Sequence, residues 1–395
     1  MPELPEVESA RTLCETHCVG ATVTAVAFLE DGTFDEKIFA GTTAKAFRSA
    51  LMGRTLATAK RLGKHMWWEM SGGGGSKSAS QSPLFHFGMT GAFSVRGEGA
   101  MKYKSFEVDT TSWPPRFAKL VVDFDNGVSL AYTDPRRFGR VRLVAGDVTA
   151  SPPISELGFD PLLAMPDESA FAAAYARRAT PIKAALLDQK IAAGVGNWIA
   201  DEVLYHAKVH PEAPARTLSA AQLREVRRAM GYVVETACRA GADAELFPSD
   251  WLFHRRWGKV AGKIGGKAIS FITVGGRTTA FVPGVQKKGE GGEGGSKEAG
   301  SKRGAEAAEM KQPAKRARRA APVPTRDVAE EEEMKKKKKA APAAKKAPVP
   351  PKKAPKKAPK KAPKKAPKKA PKKAPKKAES TAKTAPTRAS ARRTR

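Results

Sequence analysis

Pro2 and Glu3, at the very start of the chain, are the smallest grouping in the sequence able to do chemistry. Removal of the initiator Met1 leaves Pro2 as a secondary amine with nothing in front of it. A free α-amino group, with a pKa of roughly 8, is partly unprotonated near neutrality. Such an amine is a nucleophile. Glu3 beside it is a candidate acid. Pro5 suits the first turn of a helix, where its missing N–H costs nothing. The same residues also suit an ordinary helix start, with the Glu3 carboxylate favoured by the helix dipole. The pair therefore takes its meaning from motifs further along the chain.

The elements that would position it can be read in order. Val7, Ala10, Leu13, Cys14 and Cys18 recur at helical spacing, which predicts a helix over 5–19 whose apolar face packs on a sheet. Short alternating or apolar runs come next at 22–28, 55–60, 65–70, 84–87, 91–95, 119–124, 128–132 and 140–144. Most are bounded by Gly, Asp, Asn or Pro, the pattern of a β-sandwich. Residues 71–82, rich in Gly and Ser, read as a flexible hairpin insertion. Beyond Asp160 the chain turns helical, with candidates at 167–177, 180–189, 197–207 and 219–240. Thr180 with Pro181 makes a helix start, and Asn197 is placed to cap the next helix. The turn Ala193-Gly194-Val195-Gly196 between them gives a helix-turn-helix-like unit. Such a turn ahead of a helix N-terminus presents backbone N–H groups to an anion, so Gly194 to Trp198 is the strongest phosphate-binding signal. Residues 251–286 return to strand signals and Gly pairs, a small β-hairpin appendage. The expected class is α+β, with domains at 1–150, 151–250 and 251–286 and a tail at 287–395.

The segments MPELPEVE, HFGMTG (86–91), TDPRRFG (133–139), DQKIAAGVGNWIADEVL (188–204) and GGRTTAFVPGVQK (275–287) occur in one chain in this order. Together they resemble the formamidopyrimidine-DNA glycosylase family, which includes the endonuclease VIII-like enzymes. The likeness spans residues 1 to about 287 and none of the tail. It implies an N-terminal catalytic β-sandwich, a helix-two-turn-helix domain and a finger. It also implies a bifunctional activity on oxidised bases: displacement of the base by an amine to form an imine, then strand cutting by β,δ-elimination.

On this resemblance Pro2 is the nucleophile, and Glu3 is the acid that assists opening of the sugar ring. Lys64 contacts the phosphate flanking the lesion and helps elimination, and Arg277 clamps a lesion phosphate. An extruded nucleotide leaves a void and an orphaned partner base. Met89 would fill the void, Arg136 would hydrogen-bond the partner base, and Phe138 would wedge between base pairs. Asn197, Arg178 and Lys183 would grip the backbone without reading sequence. Glu6 either assists through a water or caps the helix, with the structural reading preferred; Asp201 and Glu202 are read as internal scaffold, with an approach of Glu202 to the Pro2 amine as the alternative. Met89 and Phe138 as core residues, and Arg136 as an ion-pair partner, are the plainer readings.

The finger departs from the bacterial pattern. That pattern ends in a four-Cys zinc module, but this stretch reads Val282-Pro283-Gly284-Val285-Gln286, and Cys14, Cys18 and Cys238 lie elsewhere. Without thiolates a structural zinc is not expected. The hairpin is instead expected to be held by Phe271, Ile272, Val274, Phe281 and Val282. No metal or cofactor is implied. This finger and the Lys-rich extension look most like plant and algal members. The short stretch 241–249 predicts weak turnover of 8-oxoguanine relative to formamidopyrimidines and further-oxidised purines.

Charge is unevenly spread. Residues 287–395 hold 37 Lys or Arg against 11 Asp or Glu, a surplus of 26 within the chain's total of +31, leaving +5 for residues 1–286. The tail, with KKAP recurring between Lys352 and Pro375, cannot bury enough apolar surface to order itself. It is expected to be disordered and to bind DNA non-specifically. Lys315 to Arg319 and Lys335 to Lys339 resemble nuclear-localisation signals. Three Cys fit a reducing compartment. No apolar run suits a membrane span, and the N-terminus has no signal or transit character. The expected protein is a nuclear monomer whose partner is damaged double-stranded DNA. An oxidised-pyrimidine glycosylase of the endonuclease VIII type is the alternative within the same chemistry. A non-enzymatic chromatin protein would explain the tail but leaves the Pro-Glu start without a purpose.

Overall fold

The computed structural model describes residues 1–28, 34–72, 81–98, 102–103, 106–108 and 111–288. All of them belong to one compact unit, Met1–Ala299; the second unit, Gly300–Arg395, lies outside the described residues, and so do both basic clusters. The tip of the Gly/Ser-rich insertion, 73–80, also lies outside them. No helix among the described residues is long and apolar enough to cross a membrane.

The first helix, α1 (Leu4–His17), starts at a reciprocal capping box. The Glu3 side chain accepts from the Glu6 backbone N–H, and the Glu6 side chain accepts from that of Glu3. Its apolar residues divide between two cores. Leu4 packs with the helical region, while Val7, Ala10, Cys14 and Cys18 pack with the sheets. One short helix thus joins the two halves of the unit.

The sheet region continues with β1 (Val23–Phe28), α2 (Ala44–Leu51), β2 (Thr55–Leu62), β3 (His65–Ser71), β4 (Gln81–His86) and β5 (Ala92–Val95). After the two-residue strands β6 (Lys102–Tyr103) and β7 (Phe106–Glu107) come β8 (Ala118–Phe124), β9 (Ser129–Thr133) and β10 (Arg140–Ala145). Two four-stranded antiparallel sheets result, in the orders β1-β8-β9-β5 and β10-β4-β3-β2. Val26, Phe93, Leu120 and Tyr132 from the first share a core with Leu56, Met66, Trp68, Phe85 and Val141 from the second. This is the sandwich expected from the repeated short alternating and apolar runs. The helix α2 is an addition to the elements read from the sequence; Thr43 caps it through Ala46 N, and Phe47, Ala50 and Leu51 form its buried face.

The helical region contains α3 (Glu168–Ala176), α4 (Ile182–Leu186), α5 (Asn197–His206) and α6 (Ala220–Arg239). The second of these is shorter than the expected 180–189, because the chain turns at Asp188 and Gln189 to support the loop before α5. Two hairpins complete the unit, β11 (Lys263–Ile264) with β12 (Lys267–Ala268) and β13 (Ser270–Val274) with β14 (Arg277–Phe281). Their core is Leu252, Ile264, Ile269, Ala280 and Val282, with Phe271 packed against it. Ile272, expected in that core, is only half-buried and is not part of it. Gln286 locks the end by accepting from Val282 N and donating to Val209 O.

Candidate active site

The Glu3 carboxylate lies at the N-terminus of α5. Its Oε1 accepts from Trp198 N at 2.9 Å and its Oε2 from Ile199 N at 3.2 Å. The anion held by this helix terminus is thus an internal one. Within the stretch Gly194 to Trp198, read from the sequence as phosphate donors, Trp198 N is therefore taken by Glu3 and Gly194 N by Gln189. The reading of Asn197 as the helix cap is corrected: Gly196 is the N-cap, and Asn197 sends its amide to Thr278 O at 3.0 Å. A Cβ on Gly196 would stand 2.2 Å from Glu3 Cδ, so only glycine admits the carboxylate. Glu6 completes the cluster, accepting from Glu3 N at 3.0 Å and from Trp198 Nε1 at 3.2 Å. Burial, and then the neighbouring Glu3 carboxylate, push the Glu6 carboxyl up to about 7.

Pro2 is buried beside this cluster. The chain here still carries Met1, whose amine stands one residue ahead of the Pro2 nitrogen that trimming would expose. Burial lowers the pKa of that amine; Lys64 and Arg136 lower it further, while Glu3 and Glu6 oppose them. An amine in this setting loses its proton more readily than in water, which a nucleophile needs.

Lys64 sits on the β2–β3 turn and donates to Val195 O at 3.1 Å. Burial lowers its pKa, Glu3 and Glu6 raise it, and Arg277 lowers it. The turn is fixed from beneath. Arg61 bonds to Asp160 at 2.5 Å and to Glu8 at 2.6 Å, and Asp160 also accepts from Gly63 N at 2.7 Å. Gly63 packs backbone against backbone on the loop before α5, where a Cβ would meet Gly194 N at 2.9 Å. Gln189 secures that loop, accepting from Gly194 N and donating to Val195 O. Asp160, Gln189 and Gly196 are structural determinants that sequence reading missed as individuals. Gln189 and Gly196 lie inside a family-like motif, whereas Asp160 carries no local signal.

Met89 is half-buried on the loop between β4 and β5, and Arg136 and Phe138 lie on the loop between β9 and β10. Arg136 is exposed and stacks over the Phe138 ring at 5.0 Å, with Lys37 over the same ring at 5.4 Å. A ring flanked by two cations is not a core residue, and neither Phe138 nor Met89 belongs to a buried cluster. Lys37 is a neighbour of that ring that the sequence reading did not single out.

Of the remaining basic residues, Arg178 is half-exposed and 3.7 Å from Asp188. Arg277 is exposed, just past the Gly275-Gly276 turn, where both residues have positive φ. Lys183 is a correction. Rather than facing phosphate it is fully buried, 2.7 Å from Asp201 Oδ1 and 2.6 Å from Thr279 Oγ1. It ties α4 and α5 to β14. Asp201 also takes Arg256 and Ala280 N, and Glu202 takes Leu252 N and Phe253 N, so both acids are scaffold.

The description "formamidopyrimidine-DNA glycosylase N-terminal domain" matches residues 1–141, its H2TH domain matches 157–247, and the glycosylase-like C-terminal domain matches 251–283. The formamidopyrimidine-DNA glycosylase of Arabidopsis thaliana is 42% identical over 290 residues, covering 73% of this chain and 71% of that protein. The Lactococcus lactis enzyme bound to DNA containing an AP site superposes with a TM-score of 0.58 at 26% identity, covering 72% of this chain and 100% of the other. Its complex with DNA containing N7-benzyl-Fapy-dG gives the same TM-score and identity, covering 73% and 100%. The chain belongs to the formamidopyrimidine-DNA glycosylase family of DNA-repair enzymes.

Proposed function

We propose that this enzyme removes formamidopyrimidines and further-oxidised purines from double-stranded DNA, with weak action on 8-oxoguanine, and then cuts the strand at the resulting site. The observation carrying this reading is the burial of Pro2 and Glu3 at the junction of both cores, with Lys64 and Arg136 within electrostatic reach. After loss of Met1 the Pro2 nitrogen attacks C1′, and the bond to the base breaks with its electron pair leaving on the base. The attack passes the Pro2 amine proton to Glu3, which hands it on to the ring oxygen as the sugar opens and leaves an iminium at C1′. The iminium acidifies C2′–H; loss of that proton expels the 3′ phosphate, and a second elimination expels the 5′ phosphate.

Lys64 and Arg277 bear the phosphate charge during these eliminations, and Asn197 and Arg178 contact the neighbouring backbone. Met89, Arg136 and Phe138 enter the duplex in the roles of void filler, partner-base contact and wedge. The weak action on 8-oxoguanine is supported by the route from α6 to Leu252. A single tight turn at 244–246 leads directly to the buried Phe247 and Trp251, which leaves little chain to cover such a base. The hairpins are proposed to work without zinc, since their packing is apolar and residues 251–288 hold no Cys. Nuclear targeting through Lys315 to Arg319 is part of the same proposal, tested by locating a fluorescent fusion with and without that cluster.

The deciding experiment uses tag-free, Met-processed protein, an abasic-site duplex and borohydride. A covalent adduct is expected, with peptide mass analysis placing it on Pro2. Full activity from material retaining Met1 would overturn the mechanism.

A further inference from the structure

The three residues proposed to enter DNA come from two separate loops, and their joint action needs something to hold those loops in step. Asp134, fully buried at the end of β9, is placed to do this. Its Oδ1 accepts from Thr90 Oγ1 at 2.6 Å and from Arg136 N at 3.3 Å, and its Oδ2 accepts from Gly139 N at 2.7 Å. One carboxylate therefore binds both ends of the loop carrying Arg136 and Phe138, and also binds the residue after Met89. Thr90 Oγ1 in turn accepts from Arg136 N at 3.3 Å, which closes a ring of hydrogen bonds between the loops.

The residue before Met89 makes a second tie. Gly88 has φ +59, and a Cβ there would lie 2.3 Å from the Phe138 carbonyl carbon, so the two backbones touch. Gly91 N bonds to Phe87 O at 2.8 Å and closes the Met89 turn, while Phe87 anchors it on the aromatic core at Phe93 and Tyr132. Met89 is bracketed on both sides by contacts to the other loop.

We infer that Thr90 and Asp134 are positioning residues that couple the Met89 loop to the Arg136–Phe138 loop, so that the three side chains enter and leave the duplex together. This rests on the proposed roles of Met89, Arg136 and Phe138. Neither positioning residue touches the reacting atoms. The coupling puts the cost of inserting three groups into one conformational step, and the partner base is met as the void is filled.

The test compares Thr90→Val, which removes the hydroxyl at nearly constant shape, with Thr90→Ser, which retains it. A duplex with a formamidopyrimidine and an adjacent 2-aminopurine reports extrusion by fluorescence and base loss under single turnover. The same duplex with a preformed abasic site reports strand cutting without a base to extrude. With Thr90→Val the fluorescence rise should split into two phases and base loss should slow by about ten- to a hundredfold. Cutting at the abasic site should change little, and Thr90→Ser should restore both readouts. A single-phase rise at the wild-type rate would overturn the inference, as would equal loss on both substrates, which marks a merely structural role. Asp134→Asn gives the independent check if Thr90→Val folds poorly. Met89→Ala separates the two levels of the proposal. If Met89→Ala leaves extrusion unchanged, the void-filling role itself fails; if it slows extrusion while Thr90→Val does not, only the coupling fails.

Discussion

The Glu3 carboxylate reaches the backbone of Trp198, 195 residues away, at 2.9 Å, so the first turn of the chain caps the helix beyond the glycine turn. The arrangement holds the N-terminal segment by a charge-assisted bond to a helix terminus. Gly196→Ala should therefore be far worse than a helix N-cap substitution normally is. The new methyl would lie 2.2 Å from Glu3 Cδ and displace the carboxylate and Pro2 with it. Borohydride trapping at an abasic site should fall by about a hundredfold or more, and overpacking should lower stability by about 1–3 kcal/mol. Wild-type trapping by this variant would show that the carboxylate is not what fixes Pro2.

Glu6 should leave a signature in the pH dependence of stability. Its folded-state value of about 7 lies above the ordinary carboxyl value of 4.5, so the folded chain holds a proton that the unfolded chain has lost. Its contribution is complete below about 4.5 and is lost as pH rises through about 7. His65 and His86, pushed down to about 3 and about 4 chiefly by burial, act oppositely, since the unfolded chain takes up protons below 6.5. The difference between wild type and Glu6→Gln isolates the carboxyl. Thermal melts from pH 4.5 to 8 should show wild type losing ground against the variant with rising pH. Parallel curves would count against a shifted Glu6.

Lys183 and Arg178 should behave as opposites. Lys183→Met strips a buried cation from Asp201 and should cost about 3–5 kcal/mol, read as a fall in the urea midpoint. Its effect on the salt dependence of DNA binding should be slight. Arg178→Ala should leave the urea midpoint almost unmoved and make the salt dependence shallower. If Lys183→Met instead kept its stability and flattened the salt slope, Lys183 would be a phosphate ligand after all.

Deletion of 289–395 should weaken binding to undamaged duplex, most strongly at low salt, because the Lys-rich segment adds counterion release without base contacts. Relative excision rates across a panel of lesions should stay the same. A changed order of preference would show that the segment takes part in lesion choice.

Much of this protein is legible in one dimension. Short alternating or apolar runs marked the eight main strands to within a few residues, because a strand with one buried face repeats with period two and one buried on both faces, such as Ser129–Thr133, reads as a continuous apolar run. Val7, Ala10 and Cys14 marked the buried stripe of α1 in the same way. The order of HFGMTG, TDPRRFG and the glycine turn was sufficient to identify the family. The short helix α2 escaped, since a single capping Thr and three apolar residues are too brief a pattern to stand out.

Only the tertiary structure decided which groups meet. A glycine turn before a helix attracts an anion whether that anion is DNA phosphate or the protein's own Glu3, and the sequence pattern is identical in both cases. Lys183 shows the same limit: a lysine on a helix reads as a surface cation until folding brings Asp201 and Thr279 around it. Local spacing determines element and face, because those depend on neighbours in the chain. The partner of a charge depends on long-range packing, and that is settled only when the sheets, the helices and the N-terminal turn close on one another.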